Sequence, residues 1–255
     1  MTRAVILSAG QGRRLLPLTA TMPKCALPLH GRTLLEWQLD ALAACGIEHA
    51  TVVSGFASEH VEQVLAARTT APRAHALYNP FFRVSDNLVS CWMAREAMAG
   101  DFVLLNGDTV FEPAVVERLL SAPPRPVRLA VDHKEAYDAD DMKVSLDGDG
   151  RLRRVGKRLA PEIVGAESIG VMLFRGQGPA LFREAIEIAL RRRDALDVWY
   201  LSVIDEMADH GDVWTASIDG LGWAEIDSPA DIPRAEAVLQ PAADQRARST
   251  MARTS

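Results

Sequence analysis

Three short segments carry side chains that could do chemistry together. In Leu7-Ser8-Ala9-Gly10-Gln11-Gly12-Arg13-Arg14, two glycines let the backbone turn tightly and approach a ligand, and amides that lead into a helix start suit phosphate oxygens. Arg13 and Arg14 add positive charge beside them. By itself the loop is a weak signal: it is neither the phosphate loop that ends in Gly-Lys-Ser/Thr nor the spaced dinucleotide fingerprint, and glycine in a strand-to-helix turn often serves geometry only. The continuation Leu16-Pro17-Leu18-Thr19 and Met22-Pro23-Lys24 adds weight, because a proline-constrained turn can aim Lys24 back over the loop. The other two segments, Asn106-Gly107-Asp108 and Glu225-Ile226-Asp227-Ser228-Pro229, each place an aspartate after an apolar run. Magnesium takes few protein carboxylates and fills its remaining positions with water and phosphate oxygens, so two aspartates suffice to hold it. A purely structural reading makes Asp108 a turn residue and Asp227 the N-cap before Pro229.

A phosphate loop needs a rigid strand in front of it. The run Ala4-Val5-Ile6-Leu7-Ser8-Ala9 reads as a strand buried on both faces, as in a parallel sheet. The spacing of Leu34, Leu35, Leu39 and Leu42 predicts a helix over 33–45 with Gly46 just past its end. A strand over 50–54, a helix over 59–68 and a strand over 74–78 follow, then the turn signal Asn79-Pro80. A helix over 86–98 precedes the strand 102–105, which delivers Asp108. This alternation implies right-handed βαβ units and a doubly wound, mostly parallel α/β sheet. Runs at 127–131, 143–146 and 152–155, the last two around Asp147-Gly148-Asp149-Gly150, predict a small antiparallel subregion. A strand over 168–174, helices over 179–192 and 201–210, a strand over 213–218, the segment 223–226 and a helix over 229–239 complete one domain over 1–239. Residues 240–255 are small, polar and basic and are expected to be a disordered tail.

Composition narrows the classes. At 255 residues, 48% hydrophobic and 24% charged, the chain can bury a full α/β core. A formal charge of -6 argues against nucleic acid as a partner, in spite of the local cluster Arg191-Arg192-Arg193. Cys25, Cys45 and Cys91 have neither an even count nor metal-ligand spacing and read as reduced thiols of a cytoplasmic protein. No run approaches the ~20 apolar residues of a membrane span, so no membrane partner is expected. His30, His49, His60, His75, His133 and His210 are too scattered for a zinc cluster or a serine triad.

The segment from Leu7 to Thr19 with Met22-Pro23-Lys24 resembles the signature of the sugar-phosphate nucleotidylyltransferase superfamily, the MobA-like NTP transferases. The resemblance continues at Gly107-Asp108 and at 225–229, and covers roughly residues 1–239. It implies a Rossmann-like nucleotidyltransferase fold. It also implies roles: Ala9, Gly10, Gln11, Gly12 and Arg13 around the triphosphate, Gly107 at the nucleotide, Lys24 on the reacting phosphates, and Asp108 and Asp227 on Mg2+. Arg13, Lys24 and Asp108 are the implied catalytic residues.

The stretch from Tyr78 to Trp92 resembles the bacterial phosphocholine cytidylyltransferase branch and its relatives acting on phosphonates and inositol phosphate, which implies CTP. Asn79, Ser85, Asn87 and Ser90 offer amides and hydroxyls to a pyrimidine edge, although Ser85-Asp86 also fits an N-cap before an apolar helix. Segments around Lys143, Lys157 and Glu167 resemble the acceptor region, so the two lysines would neutralise an acceptor phosphate; exposed strand lysines are the plainer alternative. Trp199 and Tyr200 would box a quaternary ammonium, with Asp194 or Asp197 adding charge, or else belong to the core. The implied reaction transfers CMP from CTP to a small phosphorylated or phosphonate metabolite, of phosphocholine, 2-aminoethylphosphonate or polyol phosphate type, with release of pyrophosphate. A homodimer is compatible with the sequence. The competing readings are a hexose-1-phosphate nucleotidylyltransferase using dTTP, UTP or GTP, and a non-catalytic nucleotide-binding module on the same fold.

Overall fold

The first apolar run buries both of its faces because β1 (Arg3–Ser8) lies inside a nine-stranded sheet, between two other parallel strands. The computed structural model describes residues 1–239; the tail expected over 240–255 lies outside the described residues. After β1 come short 3-10 turns at Arg13–Leu15 and Lys24–Ala26, and a hairpin of β2 (Pro28–Leu29) and β3 (Arg32–Thr33). The chain continues through α1 (Leu34–Ala44), β4 (His49–Ser54), α2 (Ser58–Ala67), β5 (Arg73–Tyr78), α3 (Asn87–Met93) and β6 (Phe102–Asn106). Next are β7 (Thr109–Phe111), α4 (Pro113–Ser121), β8 (Val127–Asp132), β9 (Lys143–Leu146), β10 (Leu152–Gly156) and β11 (Ala166–Phe174). The last elements are α5 (Gly178–Ala189), α6 (Tyr200–Asp209), β12 (Val213–Ser217), β13 (Trp223–Glu225) and α7 (Ile232–Val238).

Strands β6, β1, β4 and β5 form the parallel half of the sheet. Beyond β6 lies β11, antiparallel to it; β8 pairs β11 on its other edge, and β12 runs parallel to β8. The expected antiparallel subregion is the β9–β10 hairpin, joined to the start of β11. Strand alternation sends Ala4 and Ile6 to one face, against Leu35, Leu39 and Leu42 of α1 and Val115 and Leu119 of α4. Val5 faces the opposite core, with Leu88 and Cys91 of α3, Phe182 and Ile186 of α5 and Ile204 of α6. Phe102, Phe174 and Phe182 stack there, with consecutive ring centroids 4.5 and 4.6 Å apart.

A third, smaller core joins Leu15, Leu27, Leu29 and Leu34 to Val110, Ala224, Ile226 and Ala235. It clamps the chain after the glycine loop onto the two-stranded ribbon β7–β13 and onto α7. Helix α1 starts with a capping box: Thr33 Oγ1 accepts from the Glu36 N–H, and the Thr33 N–H donates to Glu36 Oε2 at 2.7 Å.

Two differences from the sequence expectations have local causes. Helix α3 stops at Met93 rather than running to 98, because Arg95 donates to the Trp92 carbonyl and stacks over the Trp92 ring, and three-residue turns carry the chain to Met98. Elements β7 and α4 fill the stretch between Asp108 and Val127, for which the sequence expectations name no element. Pro113 in the first turn and Val115, Val116 and Leu119 at helical spacing are the signals that α4 follows. No helix among the described residues is long and apolar enough to cross a membrane.

Candidate active site

The glycine loop follows the carboxyl end of β1. Gly12 adopts φ 73°, and a Cβ there would stand 3.1 Å from Lys24 Cβ, so both the turn and the approach of Lys24 demand glycine. Thr19 closes the loop by donating to the Gly12 carbonyl at 2.8 Å, and Gln11 donates to the Thr19 carbonyl at 3.3 Å. The Ala9 carbonyl accepts from the Phe56 N–H. Gly10, Gly12, Arg13 and Arg14 line a cavity of about 370 Å³ together with Asn87, Lys24, Gly107, Asp108 and Asp227.

Asp108 reaches this cavity because of Gly107. A Cβ at Gly107 would stand 2.3 Å from Ser8 Oγ and 2.5 Å from the Leu7 carbonyl oxygen, so glycine alone lets the turn after β6 lie against β1. Buried Gln38 brackets the turn, its Nε2 donating to the carbonyls of Asn106 at 2.7 Å and Thr109 at 2.8 Å. Across the β7–β13 ribbon the Ile226 N–H donates to the Asp108 carbonyl, which fixes the two acidic segments in register. Glu225 and Asp227 are two residues apart in extended chain and share a face, while Ile226 turns into the third core.

Lys24 Nζ sits between the two aspartates, 2.8 Å from Asp108 Oδ2 and 2.7 Å from Asp227 Oδ1. Burial opposes its charge, but Asp108 and Asp227 outweigh burial and hold its pKa above the ordinary lysine value. Among the described residues, Asp108, Glu225 and Asp227 bring one carboxylate oxygen each within 4.8 Å of one another. Desolvation, and then the neighbouring carboxylates Asp108 and Asp227, hold the pKa of Glu225 above the ordinary carboxylate value. Asp108 Oδ1 is buried and accepts no hydrogen bond. An orphaned carboxylate oxygen beside two further carboxylates fits a small divalent cation. The N-cap role falls on Ser228, whose hydroxyl and N–H bond Asp231, leaving the Asp227 carboxylate for Lys24 and Arg14.

The two adjacent arginines part company. Arg14 Nη2 pairs with Asp227 Oδ2 at 2.8 Å, whereas Arg13 is exposed and makes no side-chain hydrogen bond or ion pair among the described residues. Leu15, fully buried in the third core, sets this phase. Gln38 and Glu225 are therefore residues of the candidate site that sequence reasoning did not single out, and Arg14, read there only as charge beside the loop, is the arginine that pairs with Asp227. A polar residue on the apolar stripe of α1 and the alternation Glu225-x-Asp227 are the signals for the first two.

The residues proposed for the base separate. Fully buried Asn79 donates to Ser90 Oγ at 3.1 Å and accepts from the Phe81 N–H, so this pair is spent on joining a turn to α3. Ser85 donates to the Phe81 carbonyl. Of the four, Asn87 lines the cavity, with its Oδ1 accepting from the Tyr200 N–H at 2.9 Å. Tyr200 is fully buried and donates its hydroxyl to Asn106 Oδ1, so it belongs to the core and not to an aromatic box. Trp199 donates its ring N–H to Asp86 and carries Lys157 Nζ 5.1 Å from its ring centroid. Lys143 is buried, and its ammonium serves the carbonyls of Asp138, Asp141 and Lys157. Glu167 pairs with Lys134 at 2.8 Å; burial pushes its pKa up to about 7 against the pull of Lys134. It lines a second cavity of about 640 Å³ that shares Arg14 and Asp227 with the first.

Residues 4–193 match the profile of the MobA-like NTP transferase domain. The chain is 32% identical to the CMP-5'-(3-aminopropyl)phosphonate synthase of Streptomyces rubellomurinus, over 96% of this chain and 40% of that protein. It is 28% identical to the 2-aminoethylphosphonate cytidylyltransferase of Lancefieldella rimae, over 61% of each. The chain thus spans less than two thirds of the length of these relatives. The inositol-1-phosphate CTP transferase of T. maritima superposes with a TM-score of 0.79 at 21% identity, over 93% of this chain and 96% of that one, and shares the fold.

Proposed function

The chain belongs to the MobA-like NTP transferase domain family, and from that premise we propose that it transfers CMP from CTP to a small phosphonate or phosphate acceptor that carries an amino group. The observation that carries the reading is Lys24, buried between Asp108 and Asp227 beside an open glycine loop. An acceptor oxygen attacks the α-phosphorus in line; its bond to phosphorus forms as the bond to the β-phosphate oxygen breaks, and pyrophosphate leaves with the electron pair. A phosphate or phosphonate oxygen is already a nucleophile near neutral pH, so no covalent enzyme intermediate is required. What the protein adds is alignment and charge.

Asp108, Asp227 and Glu225 would hold Mg2+, whose all-oxygen preference they satisfy. When bound, the ion would offset charge on the α-phosphate oxygens and on the departing pyrophosphate. The glycine loop, Lys24, Arg14 and Asn87 line one cavity, in which the loop backbone and the two cations would meet the triphosphate and Asn87 would offer its amide to the base. The names of the two aminophosphonate relatives support an amino-bearing acceptor. So does the second cavity, where Asp141 and Glu167 already solvate the Lys134 ammonium at 2.9 and 2.8 Å.

Pyrophosphate release measured for CTP, UTP, GTP and dTTP against 2-aminoethylphosphonate, phosphocholine, inositol-1-phosphate and glucose-1-phosphate tests the proposal. CTP with 2-aminoethylphosphonate should give the highest kcat/KM. Faster turnover of a hexose phosphate with dTTP or UTP, or Mg·CTP binding without turnover on any acceptor, would refute it.

A further inference from the structure

The Asp140 side chain is 72% exposed, yet both of its oxygens are engaged. Oδ2 pairs with Arg14 Nη1 at 3.3 Å and Oδ1 with Lys157 Nζ at 3.4 Å. One anion therefore bridges two cations from different walls of the cleft: Arg14 from the turn after the glycine loop, Lys157 from the end of the β9–β10 hairpin. Arg14 lines both cavities, so the bridge stands at their junction. Lys157 is itself held, its ammonium over the Trp199 ring and its carbonyl accepting from Lys143.

Asp140 belongs to residues 133–142, which join β8 to β9, and the base of that segment is fixed. Lys134 pairs with Asp141 and Glu167, the Asp138 N–H donates to Asp141 Oδ2 at 2.6 Å, and Lys143 binds the carbonyls of Asp138 and Asp141. Two exposed ion pairs tether the tip, and such pairs exchange readily in water. A tetrahedral dianion brings more charge and more oxygens to two facing cations than a carboxylate does, so it competes well for the same place.

On the transfer reading Arg14 and Lys157 already face the phosphorus groups of the ligands; we propose that Asp140 is the internal placeholder of that seat, displaced when a phosphoryl or phosphonyl dianion binds. The dianion's owner rests on the transfer reading: it is the acceptor's phosphorus group or a phosphate of the nucleotide. Asp140 then sets affinity by competition without touching the reacting atoms.

Calorimetric titration of the wild type, Asp140→Asn and Asp140→Glu with 2-aminoethylphosphonate, and separately with CTP, tests the seat without turnover. Asp140→Asn should tighten at least one ligand by about three- to tenfold, with the gain shrinking in about 0.5 M salt, while Asp140→Glu stays within about twofold of wild type. Tightening of the phosphonate gives the seat to the acceptor, and tightening of CTP gives it to the nucleotide. Affinities for both ligands that stay within twofold of wild type in Asp140→Asn, weaken, or are too weak to measure would overturn the proposal. A chain that behaves as expected here but never releases pyrophosphate would fail the transfer reading and leave the seat standing.

Discussion

At the glycine-loop end of the cleft, Lys24, Asp108 and Asp227 ride on backbone held by buried leucines and two close-packed glycines, whereas beside the second cavity Arg14, Asp140 and Lys157 meet through exposed ion pairs. Each fully buried leucine of the third core contributes about 1.5–3 kcal/mol, while an exposed ion pair contributes about 0–1 kcal/mol. The glycine-loop end is thus preset, and the ion pairs beside the second cavity are weak enough to exchange partners. On the proposed transfer, the preset end would align the triphosphate and the exchangeable end would receive the acceptor.

The largest expected effect tests the preset end. Lys24→Ala should lower kcat/KM for pyrophosphate release by about 10²- to 10³-fold, the range for removing a preorganised charge. A loss below tenfold would mean that the buried ammonium is packing and not chemistry. The two neighbouring arginines sharpen the boundary between the ends. Arg14→Ala should cost about 10- to 100-fold, because it removes a cation facing both cavities. Arg13→Ala should cost less, about three- to tenfold, because Arg13 lines only the first cavity and makes no ion pair among the described residues. Equal losses would erase the distinction that the turn at Leu15 draws.

A pH dependence of stability, and not of turnover, tests the wall of the second cavity. Glu167, raised from 4.5 to about 7 mainly by burial, keeps a proton in the folded state that the unfolded chain has lost. Its contribution to stability is full below about pH 4.5 and is lost as pH rises through 7. Glu167→Gln stays neutral throughout, so its urea midpoint should gain on the wild type between pH 4.5 and 7 and level off above. A difference that is flat across this window would show that Lys134 already holds Glu167 ionised.

The contrast also explains which residues the sequence reveals. The glycine loop, Asp108 and Asp227 each follow an apolar run, and strand ends are where a parallel sheet gathers its ligands; Lys24 comes from the proline-constrained turn, and the family resemblance is what joined it to the two aspartates. Gln38 was hidden because an amide inside an apolar helical stripe reads as noise until its two carbonyl partners are seen. At the other end, residue type alone could not tell Asn87, which lines the cavity, from Asn79 and Ser90, which satisfy each other in the interior. Tyr200 followed the same rule: its hydroxyl found Asn106, so it packs inward although Trp199 beside it is exposed. The fold class was legible because alternating apolar strands and amphipathic helices allow few arrangements, whereas β7 is a three-residue strand with no periodicity to read.

The third core has a consequence for the order in which the protein becomes competent. It joins Leu15 and Leu27, made early in synthesis, to Ala224, Ile226 and Ala235, made some two hundred residues later. Until that late segment has left the ribosome and docked, Lys24 has Asp108 but not Asp227 as a partner, and the glycine loop lacks the surface it packs against. The parallel strands β1, β4, β5 and β6 all precede that segment in the chain, so the sheet can be synthesised in full well before the carboxylate pair around Lys24 is complete.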